Sequence, residues 1–481
     1  MKNAEAELLG RLWRDVAGTD GEGRPSAMGA PPPLSLGGED GGLPSVFHVS
    51  AFATACVAVA TLAASELLAA RTGESPRAVH VDRRHAAVAF RSERHVRTVT
   101  RPMPPVWDPL SGDYTTRSGV IRLHTNYAHH RAAALRALSL GAEEEDREVV
   151  RRRLLELTAE DVEREVVLAG GAAAKLRTRD EWRAHPQGRA VAKEPLVFVR
   201  RALVSGARPL ARAGTQPPKS PLAGVRVLDV TRVIAGPVCT RVLAAHGAEV
   251  LRIDPPGFHE VEALLGDTTS GKRCAALDLK SHEGRARFLD LCAGADVLVH
   301  GLRSDAFSRL GLSTEELLRH NPALVVVTHD AYGFSGPWSH RRGFDSLVQL
   351  SCGIAARGQE ALSAAMPVPL PAQALDHGTG YLLAAAACRA LTRAHTGAEI
   401  SLVQLSLART AELLMSLGDD GDPRAADLPG DAAAPWVERV PSAFGPIDRV
   451  RCPGSIEGLL PAWKTAPGPL CIAAPSWEPV R

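Results

Sequence analysis

One carboxylate in this chain stands where chemistry is possible. The stretch Pro371-Ala-Gln-Ala-Leu-Asp376-His-Gly-Thr-Gly-Tyr-Leu-Leu-Ala-Ala-Ala-Ala-Cys-Arg-Ala390 sets Asp376 at the mouth of a long, Ala-rich helix. Taken alone, an Asp two residues ahead of Gly-Thr-Gly-Tyr reads as a helix N-cap. A helix start also favours the ionised carboxylate, which is the form that attacks an acyl carbon. The two readings are compatible. His377 beside it is an acid–base candidate. His124, His129 and His130 are the other cluster of reactive types. Adjacent histidines leave a helix on different sides and no carboxylate completes a ligand set, so no metal is expected.

The elements that must hold Asp376 follow a strand–helix alternation. Strands are expected at 225–230, 249–254, 296–299 and 323–328, with helices at 238–245, 283–293 and 314–320. Such alternation predicts an α/β fold with a parallel, doubly wound sheet whose ligand sits at the carboxyl ends of the strands. The first turn, VLDVTRVIAGPVCTRVL, lacks G-x-G-x-x-G, so the usual dinucleotide cradle is missing. Asp254 ends the second strand where a ribose-binding acid would sit, which keeps an NAD oxidoreductase as the last alternative. Gly236-Pro237 reads either as a tight turn opening a helix or as a set of free N–H groups facing a phosphate.

Bulk properties narrow the class. The 481 residues suggest two to four domains or lobes. A net charge of +2 gives no field of either sign that would draw nucleic acid or an anionic membrane, and neither partner is expected. With 4 Tyr and 10 Phe, base-stacking platforms are not expected either. The eight cysteines contain no C-x-x-C pair, which argues for a reducing cytoplasm and against a zinc site or disulfide framework. The first residues lack a secretory pattern. The uncharged run 46–65 has the length to span a bilayer, but its Ala, Thr and Ser content and His48 favour a buried helix. Residues 4–16 form an amphipathic helix with Leu8, Leu9, Leu12 and Trp13 as its stripe. Strands are expected at 78–81 and from 119, a helix at 129–140, and Thr158 opens another by a capping box.

Several segments resemble the amino-terminal part of the family III CoA-transferases, which include formyl-CoA transferase, carnitine-type CoA-transferases and α-methylacyl-CoA racemase. They are VRVLDVTRVIAGPVCTRVLAAHGAEVLRIDPPG, GKRCAALDLKSHEGRARFLDLCAGADVLV, RLGLSTEELLRHNPALVVVTHDAYGFSGPW, RRGFDSLVQLSCGIA and ALDHGTGYLLAAAACRAL, in family order over roughly 222–416. The first half resembles the family in reversed order. AFATACVAVATLAASELLAARTG is similar to the helix after the catalytic Asp, and SGVIRLHTNYAHHRAAALRAL and LTAEDVEREVVLAGGAAAKLRTRDEWRAHPQ to the smaller domain. That order implies a truncated tandem fusion or near-permutation, with Phe52 where a second catalytic Asp would align. The expected division is a helix and Gly/Pro-rich linker (1–44), a smaller α+β domain (45–206), a linker (207–221), a doubly wound CoA-binding domain (222–416) and an extension (417–481).

The resemblance implies that Asp376 is the catalytic carboxylate and that CoA is exchanged between an acyl-CoA donor and a small carboxylic acid through an aspartyl-CoA thioester. CoA is then a substrate, and no permanent cofactor is implied. The positions matching the family's CoA contacts are Arg232, Val233, Lys272, Arg309 and Arg342, and Phe344 falls near the active site. Basic residues suit the phosphates of CoA, although each also reads as ordinary surface charge. Gly343-Phe344-Asp345 replaces the racemase pattern G-H-D, and a phenyl ring cannot relay a proton. Ile234 replaces a Gln of formyl-CoA transferase, which argues against oxalate and formate. His300-Gly-Leu-Arg-Ser-Asp305 replaces E-N-F-R-P-G and loses an Asn–aromatic contact. A racemase or isomerase and a non-catalytic CoA-binding paralogue are the alternatives. Family members are interlocked dimers; for this chain, a homodimer and an intrachain pseudo-dimer both stay open.

Overall fold

In the computed structural model, residues 2–18, 29–98, 102–203, 218–302, 305–397 and 399–477 are described. A seven-stranded sheet is built from β1 (Phe198–Leu203), β2 (Arg226–Val230), β3 (Glu249–Asp254), β4 (Lys272–Ala276), β5 (Val297–His300), β6 (Val325–Asp330) and β7 (Glu399–Ser406). Their order is β4-β3-β2-β5-β6-β7-β1. The pairs are parallel except that β1 runs antiparallel to β7 at one edge. Short valine- and leucine-rich runs suit strands covered on both faces. Val227, Val299 and Val327 feed one core, and their neighbours Leu228, Leu298 and Val326 feed the other. This is the expected doubly wound α/β sheet. The strand order reverses between β2 and β5, so a ligand crevice opens at their carboxyl ends.

Four helices contribute residues to that crevice, with α1 (Val49–Thr72) packed behind them: α2 (Ala235–Ala245), α3 (Glu262–Thr268), α4 (Asp345–Ser351) and α5 (Ala374–Gly397). The two Ala-rich helices α1 and α5 pack together, and α5 also packs on α2. Close approach explains the Gly-Thr-Gly motif. A Cβ at Gly378 would lie 2.4 Å from the Phe52 ring, and one at Gly380 would lie 2.6 Å from the Ala235 carbonyl oxygen. Small residues thus bring α5 against both neighbours. α1 is long and apolar enough to cross a membrane, but 89% of its apolar window is buried inside the fold.

A smaller body pairs the antiparallel strands Gly112–Thr116, Gly119–Leu123 and Ala173–Lys175 with helices Ala128–Ala137, Arg147–Leu155 and Ala159–Leu168. Its own core includes Ile121, Leu135, Leu154 and Val166. The expected division at 45–206 does not follow the cores. Leu12, Phe52, Val81, Val199, Val227, Leu383 and Ile456 all belong to one cluster. The reason is that α1 buries its apolar surface against α5 rather than against the smaller body. Residues 207–217 of the expected linker lie outside the described residues. The extension is woven in as well: Ser455–Ile456 pairs with Val79–Asp82, and Ile447–Val450 with Arg97–Thr98.

Candidate active site

Two cavities meet at Asp376. The first, about 340 Å³, opens at the carboxyl ends of β2 and β6 and includes His130, Arg232, Asp330 and Arg342 in its walls. The second, about 380 Å³, is walled by Trp107, His124, Ile234 and Leu264 among others. Tyr127, Val233, Phe344 and Asp376 line both. Among the described residues, Asp376 is the one carboxylate that faces both spaces.

Asp376 is not the N-cap. Helix α5 starts at Ala374, which puts Asp376 in the first turn. The capping function falls to Asp345 on α4: its Oδ2 accepts the Asp376 N–H at 2.9 Å, and it also accepts the Leu375 N–H. Asp376 is therefore released to face the cavities while only 7% exposed. Burial first, then the charges of Asp345 and Glu93, push the Asp376 carboxyl well above the usual range. This reverses the expectation that the helix start keeps it ionised. The first-turn N–H groups are spent on Asp345. Burial likewise pushes Asp345 up to about 6, against the opposing bonds from Gln349 and α5.

Glu93 differs. Burial opposes its charge, but the hydrogen bond and charge of His377, with Arg94, outweigh it and hold Glu93 below the usual range. His377 Nε2 lies 3.0 Å from Glu93 Oε2, and its ring stacks on Phe90. His377 is fully buried and is absent from both cavity walls.

Arg232, Val233, Arg342 and Phe344 line the first cavity together with Asp376. The Arg232 guanidinium sits 3.8 Å over the Phe258 ring. Val233 has φ +63°, an uncommon conformation for a β-branched residue, and its N–H donates to Glu260 at 3.1 Å. Lys272 and Arg309 are placed away from the cavity walls. Lys272 is buried at the start of β4 with its ammonium 2.9 Å from Asp229 Oδ2, so its charge is neutralised inside the protein. Arg309 is exposed, pairs with Asp305 at 2.9 Å and lines neither cavity. Of the His300–Asp305 segment, Arg303 and Ser304 lie outside the described residues.

Sequence reasoning passed over several wall residues. His124 stacks face to face on Phe344, with ring centroids 3.6 Å apart, and His130 meets the same ring edge-on at 5.7 Å. Burial first pushes both imidazoles down to about 3, which keeps them neutral. His124 Nδ1 and both His130 ring nitrogens have no partner. Their clustering in His-Thr-Asn-Tyr-Ala-His-His was visible, but it was weighed only as a metal motif. Among the described residues no group of three His, Cys, Asp or Glu is placed to hold a metal. Asp330, at the end of β6, is pushed up to about 7 by burial. Glu260 accepts from the Tyr127 hydroxyl at 2.5 Å and ties the smaller body to the β3 end.

Residues 222–418 match the CoA-transferase family III model. Through this region the chain is similar to CoA-transferase family III. An acetyl-coenzyme A transferase of Hypoxylon pulicicidum is 35% identical over 180 residues, which is 37% of this chain and 30% of that protein. A probable fatty acyl-CoA transferase of Mycobacterium tuberculosis is 29% identical over 250 residues, 47% of this chain and 60% of its own. An acetyl-CoA:oxalate CoA-transferase of Acetobacter aceti is 34% identical over 148 residues, 28% of this chain and 38% of its own. The chain thus spans between 30% and 60% of these relatives' lengths. The family III region contributes β2 to β7 and the start of α5 with Asp376, whereas Tyr127, His124 and Trp107 enter the cavity walls from outside it.

Proposed function

We propose that the protein transfers CoA between carboxylic acids, with Asp376 as the nucleophile. The observation that carries this reading is the place of Asp376 between a basic cavity at the switch point and a largely apolar one. Arg232 and Arg342 suit the phosphates of CoA in the first cavity, and the acyl group enters the second. An Asp376 oxygen attacks the thioester carbonyl carbon, and the C–S bond breaks to give a mixed anhydride and the CoA thiolate. The thiolate attacks the aspartyl carbonyl and releases the donor acid as a carboxylate. The resulting aspartyl-CoA thioester passes CoA to the acceptor acid by the reverse steps. Because the resting carboxyl is protonated more readily than usual, it must lose a proton before it attacks, so the first step accelerates as pH rises.

Peptide mass spectrometry after incubation with a panel of acyl-CoAs and hydroxylamine trapping tests the reading. Modification at Asp376 is expected. Binding of CoA thioesters without modification at Asp376 would overturn it in favour of a non-catalytic paralogue. A second reading, an acyl-CoA racemase or isomerase, is supported by the neutral, unpartnered His130 in the Asp376 cavity. It requires solvent deuterium to enter the α-carbon, and unlabelled acyl-CoA would remove it. Seven of the eight cysteines are buried and all are free, which fits a reducing cytoplasm. A homodimer and an intrachain pseudo-dimer are the two assemblies the resemblance allows, and light scattering distinguishes them by mass.

A further inference from the structure

The second cavity differs from the first in charge and in surface. Val106, Trp107, Ile234, Val261, Leu264 and Phe344 give it an apolar lining. Val106 and Trp107 stand at 37% and 45% exposure, side by side, an exposed apolar pair that a ligand would cover. Ile234 offers no hydrogen bond. Neutral His124 adds no positive charge. The polar end of the space is acidic: Glu93, Asp345 and Asp376 all reach it. Its one cation among the lining residues is Arg94, half exposed and already 3.7 Å from Glu93. The first cavity, by contrast, holds Arg232 and Arg342.

We infer that this cavity selects a neutral, apolar acyl group, medium-chain or arylalkanoyl, and rejects acyl groups that carry a second carboxylate. The assignment of the acyl group to this cavity rests on the reading of Asp376 given above. A tail carboxylate here would shed its water among apolar side chains and face three acids, with only a cation that Glu93 already engages. An alkyl or aryl tail loses nothing on entry and covers Trp107 and Val106.

The test uses the full chain and two readouts. Octanoyl-CoA, phenylacetyl-CoA and succinyl-CoA are supplied separately at equal concentration, and the rate of adduct formation at Asp376 is compared. The same thioesters are also titrated calorimetrically into the Asp376→Asn protein, whose amide mimics the protonated acid. Octanoyl- and phenylacetyl-CoA should exceed succinyl-CoA by about 100-fold in both rate and affinity. Trp107→Ala should weaken octanoyl-CoA binding about tenfold and leave free CoA unchanged. Trp107→Arg, at an exposed position, should narrow the gap in favour of succinyl-CoA. Equal or tighter binding of succinyl-CoA, or no effect of Trp107→Ala, would overturn the proposal. If no thioester modifies Asp376 while the Asn variant still discriminates as stated, the catalytic reading falls and the acyl preference stands.

Discussion

Two buried charge clusters lie on the carboxyl-end half of this sheet, and they are built on opposite principles. In the first, each carboxylate meets a cation. Asp229 lies 2.9 Å from Lys272 with both side chains fully buried, and Arg252 holds Asp254 at 2.8 Å and Glu260 at 3.3 Å. The hydroxyls of Thr231 and Thr240 complete Asp229. Burial resists its charge, but Lys272, Arg252 and the threonines together hold it below the usual range. In the second cluster, Asp376, Asp345 and Glu93 gather with one histidine, and Asp376 is pushed up. Balanced burial marks a cluster that serves the fold. Imbalance kept beside a cavity marks one that serves chemistry.

The sharpest break of that comparison is Asp376→Ala. Loss of the proposed nucleophile should lower the rate of acyl-CoA turnover by about 10³-fold or more, read by coupled assay. Its effect on stability should have the opposite sign to that of a balanced partner. An acid whose folded pKa is raised contributes stability below its unfolded pKa and loses it as pH rises through the folded value. Asp376→Ala should therefore not lower the denaturant midpoint at pH 8, and it should flatten the decline of stability with pH. A large loss of stability at pH 8 would place Asp376 in the balanced class.

Lys272→Met tests the other cluster. It leaves Asp229 buried without its ammonium, and the expected cost is about 3–5 kcal/mol in unfolding free energy. CoA affinity of the folded fraction, measured by calorimetry, should not change, because Lys272 lines neither cavity. A selective loss of CoA binding with stability intact would restore it as a phosphate contact.

The contrast also explains what the sequence disclosed. β2, β3, β5 and β6 are dense in Val and Leu because they are covered on both faces, and such runs announce themselves. β4 (KRCAA) opens on two basic residues that pair inward with Asp229 and sideways with Glu249, so its pattern reads as polar. β1 and β7 meet only through a contact between distant parts of the chain, which local pattern does not encode. Asp376 was legible through its motif, and so were Arg232 and Phe344. Its ionisation was not, because Asp345 and Glu93 reach it from 31 and 283 positions away. The same holds for Lys272: a family position showed that a cation belongs there, but only packing shows that Asp229 consumes it.

A smaller effect sharpens the acidic cluster from within. Asp345→Asn keeps one oxygen to accept the Asp376 N–H but removes a charge that raises the Asp376 pKa. The rising limb of adduct formation against pH should move to lower pH, and the rate below neutrality should increase severalfold. Asp345 itself is raised to about 6, so the variant should also lose less stability than the parent as pH climbs from about 4 through about 6. A limb that moves upwards would mean that Asp345 assists ionisation of Asp376 rather than opposing it.

The smallest effect is expected where a charge is neither balanced in a core nor aimed at a cavity. Arg309 is 58% exposed and pairs with Asp305 one helical turn away. Surface pairs of this kind contribute about 0.5 kcal/mol or less, since water and salt screen them. Arg309→Ala should shift the denaturant midpoint within that margin and change the Kd for CoA by less than about twofold. The variant is informative because Arg232 and Arg342 already supply cations at the first cavity. If Arg309→Ala weakened CoA tenfold with the acyl preference unchanged, the phosphates would extend past the cavity mouth and over the helix Ala306–Arg309. The basic side of the site would then be wider than its walls, and the proposed division between a phosphate-binding cavity and an acyl-binding one would still hold at Asp376.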